Sequence, residues 1–181
     1  MSIRTVFTAA AAAIAVAAPG LAQTPQEDLR NALPDLSGAW TGELTYRDYR
    51  SDRLVGIPHE RTVRVAPGGA YVASELVFTD PGYQVFAGEI ATFDGATVRM
   101  AYAGGGELTV TEARITGFQR TEDGWTAAME GEGMDAGAPA RLRYVWRLEA
   151  GALSIEKQVC PDGETDFAFR NAVQLTRRQE G

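Results

Sequence analysis

The chain has 181 residues, a net charge of −7 at neutral pH and a hydrophobic fraction of 45%. An acidic chain of this kind repels nucleic acid and anionic lipid, so neither is an expected partner. A single cysteine, Cys160, excludes an internal disulfide, and the lone histidine, His59, leaves little material for a zinc site or a His-activated nucleophile.

The first 22 residues read as a secretory signal peptide. Arg4 precedes an apolar run from Ala9 to Ala18. Pro19 breaks the run, and Gly20-Leu21-Ala22 puts small residues where a signal peptidase reads them. Cleavage is expected after Ala22. The run is too short for a membrane span, which needs roughly 20 apolar residues. Lys157 is the only lysine, and the Arg, Ala and Gly bias suggests a GC-rich bacterial genome. The expected compartment is therefore the periplasm.

Residues 23–36 form a polar lead, in which 25–33 are predicted to make a short helix stopped by Pro34. From residue 37 to 178 the chain reads as one domain with period-two alternation. The clearest strand is 140–149. Leu142, Tyr144, Trp146 and Leu148 share one face, and Arg141, Arg143 and Arg147 take the other. Ala150-Gly151 then reads as a two-residue hairpin turn. Turn chemistry recurs at Pro67-Gly68-Gly69, Asp80-Pro81-Gly82, Asp94-Gly95, Gly104-Gly105-Gly106, Glu122-Asp123-Gly124, Asp135-Ala136-Gly137 and Pro161-Asp162-Gly163.

These signals predict ten strands, at 38–49, 54–66, 70–79, 83–93, 96–102, 107–121, 125–132, 140–149, 152–160 and 166–177. Connections this short force antiparallel neighbours. The segment 133–139 is the one longer connection. A ten-strand meander has two unpaired edges unless it closes, so the predicted fold is all-β: a single antiparallel up-and-down barrel with a short N-terminal helix or extended lead. A Greek-key sandwich is the structural competitor.

The first strand opens Leu36-Ser37-Gly38-Ala39-Trp40-Thr41-Gly42. This Gly-x-Trp start resembles that of the calycin superfamily, which includes lipocalins, fatty-acid-binding proteins and nitrobindin-like barrels. The resemblance implies that Trp40 plugs one end of the barrel and that an Arg of the last strand packs over it. Closing a meander pairs the first strand with the last, which brings Arg177 to Trp40. Arg177 is in phase with Phe167, Phe169, Val173 and Leu175, whereas Arg170 is out of phase. The later lipocalin sequence blocks are absent. So is the helical lid of fatty-acid-binding proteins; residues 50–58 read as a loop in its place.

Little in the chain points to catalysis. There is no Gly-x-Ser-x-Gly elbow, and Val63 stands where a zinc-protease motif starting at His59 needs its second His. Nitrobindin-like barrels bind haem through a late His. His59 is early, and after Pro58 it reads as exposed. Glu130 and Glu132, and Asp162, Glu164 and Asp166, read as solvated surface. Glu75 and Glu89 lie on strands whose phase is open: each is either a buried polar contact or surface. No cofactor or metal is indicated.

If Trp40 points inward, so do Gly42, Leu44, Tyr46 and Asp48. With Tyr144, Trp146, Phe167 and Phe169 these give an interior that is apolar and aromatic with an occasional polar group. Leu44, Tyr46, Tyr144, Trp146, Phe167 and Phe169 are thus the candidate ligand-binding residues, and Trp40 and Arg177 the structural pair. The same residues would also fill a packed core. The expected function is binding of a small, mainly hydrophobic molecule. The alternatives are a packed barrel serving protein interaction, or a barrel enzyme using a buried carboxylate and a tyrosine.

Overall fold

A computed structural model describes residues 24–48 and 51–179. The segment read as a signal peptide lies outside the described residues. Ten strands follow a short helical lead: β1 (Gly38–Arg47), β2 (Leu54–Val65), β3 (Tyr71–Asp80), β4 (Tyr83–Asp94), β5 (Thr97–Gly104), β6 (Glu107–Arg120), β7 (Gly124–Asp135), β8 (Ala138–Glu149), β9 (Ala152–Pro161) and β10 (Ala168–Arg177). Each pairs antiparallel with its sequence neighbours, and β1 pairs with β10 to close an up-and-down barrel. Among the described residues, no helix is long and apolar enough to cross a membrane.

Two connections differ from expectation. Residues 133–139 are not a loop. β7 and β8 run on to a two-residue turn, with Asp135 opposite Ala138. Ala136 and Gly137 adopt φ of 50° and 80°, the left-handed pair that such a turn needs. At 50–58 two readings overlap, and residues 54–58 follow the strand expected over 54–66 and not the loop. Leu54 to Pro58 pair with Arg47 to Glu43 of β1, and Pro58 sits at an exposed position in the strand.

The lead does more than precede the barrel. Thr24 caps helix α1 (Pro25–Ala32) in a capping box with Glu27. Pro34 does not end the helical path; it falls at the start of a 3₁₀ turn, Leu33–Leu36, where its missing N–H costs nothing. Leu29, Ala32, Leu33 and Leu36 are all buried, packed in one cluster with Trp40, Trp125, Val98 and Met129. The lead is therefore the plug of one barrel end. Burying a leucine side chain contributes about 1.5–3 kcal/mol, so the three leucines of this plug together add several kcal/mol to the core.

Arg177 completes that end. Its guanidinium lies over the Trp40 ring, with Cζ 4.3 Å from the ring centroid. Arg177 Nη1 and Nη2 donate to the carbonyls of Ser37 and Asp35 at 2.6 and 2.7 Å. Trp40 Nε1 donates to the Leu36 carbonyl at 2.9 Å. One arginine thus ties β10, the first turn of β1 and the helical plug together.

Candidate functional site

The plugged end is solid. Above it the barrel encloses a cavity of about 380 Å³. Leu44, Leu76, Phe78, Met100, Trp146, Ile155 and Val173 give it apolar walls, and Arg61, Glu89, Tyr102, Thr109, Thr111, Tyr144, Lys157 and Asn171 give it polar ones. These side chains arrive by strand alternation. On β2, Ile57, His59, Arg61 and Val63 are buried, while Pro58, Glu60 and Arg64 are exposed.

Of the residues predicted from sequence, Leu44, Tyr144 and Trp146 line the cavity. Tyr46 has the same phase as Leu44 but lies nearer the open end and is not among the lining residues; its hydroxyl is close enough to Tyr83 to act on it electrostatically. Phe167 and Phe169 are not in the cavity, which corrects the expected aromatic interior. Phe167 precedes β10 and lies under Arg143 on the outer wall, 3.9 Å from guanidinium carbon to ring centroid. Phe169 is displaced by a bulge between Phe169 and Asn171. The extra residue places Phe169 opposite Gln158, and Asn171 opposite Lys157. Asn171 and Lys157 line the cavity, so Phe169 falls on the other face. Strict alternation carried backward from Leu175 fails at that point.

The interior is more polar than the sequence suggested. Arg61 and Glu89 form an ion pair, Nη1 to Oε1 at 3.4 Å, with side-chain exposures of 7% and 24%. Glu89 thus faces inward. Glu75 faces outward, where it pairs with Arg64 at an exposed site. Toward the open end, Asp135 Oδ1 lies 3.3 Å from Lys157 Nζ and 3.4 Å from Arg170 Nε. Arg170, the residue of the bulge, also donates to the Arg47 carbonyl. Burial raises the pKa of the Tyr102 hydroxyl, and the Glu89 and Glu107 charges add to that. Burial likewise raises that of Tyr144, with Glu89 and Asp135 adding and a hydrogen bond from Thr111 opposing. Both hydroxyls are protonated at neutral pH and are available as donors.

His59 is buried, not exposed as Pro58 before it suggested. Its ring stacks on Phe78 with centroids 4.5 Å apart. It sits opposite Gly42, where a β-carbon would strike the Gln174 carbonyl, so the glycine allows the backbones to close up beside the ring. Nδ1 lies 3.2 Å from the Val77 carbonyl. A carbonyl only accepts, so Nδ1 carries the proton and Nε2 is the bare nitrogen. Burial first, then the Arg61 charge, lower the pKa of this ring to about 4, against the Val77 hydrogen bond. Cys160 is also buried. It lies on the outer face beneath residues 161–166, where Arg141 Nη2 donates to its sulfur at 3.0 Å.

Several seams of the wall fray toward the open rim, and the one between β6 and β7 borders the cavity. Among the described residues, the β6–β7 ladder runs only from Arg114 opposite Glu130 to Arg120 opposite Trp125. Gly131 still sits tight against Glu112 and Ala113, where a β-carbon would strike the Glu112 carbonyl, but residues 107–111 of β6 pair with β5 alone, and residues 132–135 of β7 pair with β8 alone. Thr109 and Thr111 of this unpaired stretch line the cavity, and Gly131 and Gly133 share the inward phase of Met129 on the facing strand. Outside, Leu108, Val110 and Met134 are 71%, 65% and 59% exposed. The frayed end of the β6–β7 seam thus has cavity-lining threonines inside and apolar side chains outside.

No protein-family model matches the chain, and no curated protein matches it either. Among solved structures, the chain is similar to the crystal structure of Rv2717c from M. tuberculosis, with a TM-score of 0.59 and 15% sequence identity. The likeness covers 82% of this chain and 96% of that one. At this identity it shows a shared barrel fold and nothing about ligand or activity.

Proposed function

We propose that this protein is an exported, non-catalytic binding protein that holds one small, largely apolar molecule inside the barrel. The cavity of about 380 Å³ carries this reading, because a barrel built only for stability would fill that space with side chains. Its walls are aliphatic and aromatic, with a few convergent polar groups, which is how small-molecule sites are usually composed. Affinity comes from the apolar ligand area taken from water, about 25 cal/mol per Å² before the costs of association. The N-terminal 22 residues support export to the periplasm, and the Trp40–Arg177 closure supports kinship with the calycins.

Native mass spectrometry of the protein purified gently from periplasm tests both parts. The expected result is a chain lacking residues 1–22 that carries a discrete small-molecule adduct. A chain that keeps those residues overturns export. A bare mass that persists after incubation with lipids and hydrophobic metabolites overturns binding. The interaction-module reading keeps one observation in its favour. Phe86, Ile90, Leu108 and Val110 expose apolar surface on β4 and β6, on the outer wall.

A further inference from the structure

Arg61 is a guanidinium placed deep in a barrel with too few partners. Its side chain is only 7% exposed, yet among the described residues it makes one hydrogen bond, Nη1 to Glu89 Oε1 at 3.4 Å. A guanidinium has five N–H donors, and its Nε is fully buried with no acceptor. Nη2 also has no hydrogen-bond partner among the described residues but is not sealed off as Nε is, so a group seated in the cavity can supply it with an acceptor. The same wall holds a second clue. Glu89 spends Oε1 on Arg61, and no hydrogen bond among the described residues reaches Oε2. Arg61 and Glu89 both line the cavity, so a donor fork and an acceptor stand side by side at its surface.

The charges in the cavity decide the chemistry of the complement. Arg61 and Glu89 neutralise each other, and Lys157 shares Asp135 with Arg170 toward the open end. A carboxylate seated on Arg61 would bring an unbalanced negative charge beside Glu89, and an ammonium on Glu89 would bring the reverse beside Arg61. A pure hydrocarbon would seal the guanidinium from water and give it nothing.

Resting on the binding reading above, we propose that the ligand carries an uncharged head with a carbonyl beside an N–H, as in a carboxamide, lactam or urea. Its carbonyl accepts from Arg61 and its N–H donates to Glu89, while its apolar body lies against Trp146 and Leu44. Arg61 and Glu89 are then the residues that set head-group specificity.

Calorimetric titration with three probes of one shape tests this: 2-naphthamide, 2-naphthoate and 2-methylnaphthalene. The amide is expected to bind the native protein about tenfold tighter than either of the others. Glu89→Gln removes the repelling charge, so naphthoate is expected to gain about tenfold relative to the amide. Arg61→Met is expected to abolish the advantage of the amide over the hydrocarbon; if that variant does not fold, Glu89→Gln alone decides. Naphthoate binding the native protein as tightly as naphthamide overturns the proposal, as does an unchanged ranking in Glu89→Gln. If methylnaphthalene binds with no amide preference, only the head-group inference falls. If none of the three binds, the cavity reading falls with it.

Discussion

His59 shows how a single residue couples the interior to pH. Its imidazole is neutral in the folded barrel, where burial and the Arg61 charge hold its pKa at about 4, against about 6.5 for an exposed ring. Below pH 6.5 the unfolded chain takes up a proton that the folded chain refuses. Stability contributed by the neutral ring is thus full above pH 6.5 and is lost as pH falls toward 4, by roughly 3 kcal/mol in all. Urea unfolding at pH 7 and pH 4.5 measures the loss. A His59→Phe variant, which keeps a ring against Phe78, is expected to lose distinctly less stability over the same interval. Equal losses in the two proteins would show that other groups carry the acid sensitivity.

At the level of elements, the hairpin turns hold removable strain. Ala136 and Ala150 lead the two-residue turns of β7–β8 and β8–β9, with φ of 50° and 48°. A β-carbon crowds the neighbouring carbonyl in that conformation, a cost of about 1–2 kcal/mol that Asn largely escapes. Ala136→Asn and Ala150→Asn are each expected to raise stability by about 0.5–1 kcal/mol, read from the midpoint of denaturant unfolding. A lowered midpoint for both would mean the turns do not adopt this geometry in solution. The bulge in β10 is an element-scale device of another kind. By adding one residue it moves Phe169 off the inner face and brings Arg170 to Asp135 at the open end.

The whole molecule is a barrel with one plugged end and a cavity toward its open rim. Several strand ends near that rim lack a ladder partner on one side: residues 54–58 of β2, 83–86 of β4, and 107–111 with 132–135 along the β6–β7 seam. Backbone amides of residues 107–111 that face β7 have no ladder acceptor. Amide hydrogen exchange is expected to split residues 107–111 into alternate protected and rapidly exchanging positions, while the middle of β8 stays protected throughout. Uniform protection across 107–111 would show that β6 and β7 zip together to their ends in solution. Either way the apolar rim of Leu108, Val110 and Met134 is set by the outward phase of the two strands.

Ten strands, their order, the closure of β1 on β10 and the meeting of Trp40 with Arg177 were legible in the sequence. The strands and their closure rest on local information: turn residues at short spacing, alternation between them, and the geometric demand that a meander hide its edges. That an arginine of the last strand would cover Trp40 came from the Gly-x-Trp resemblance, and closure only selected Arg177. The interior lining was legible only where alternation is unbroken, as for Leu44, Tyr144 and Trp146. It failed for Phe167 and Phe169 because a bulge resets the phase without a sequence signal strong enough to announce it. The buried face of β2 was written in the parity of Ile57, His59, Arg61 and Val63. A charged and a titratable residue in that series disguised it as surface. Whether Arg61 is buried depends on Glu89, 28 positions away and two strands over, and a partner at that distance is invisible until the barrel is closed. The chain's local pattern therefore determined its architecture, but only tertiary pairing decided which charges went inside the barrel.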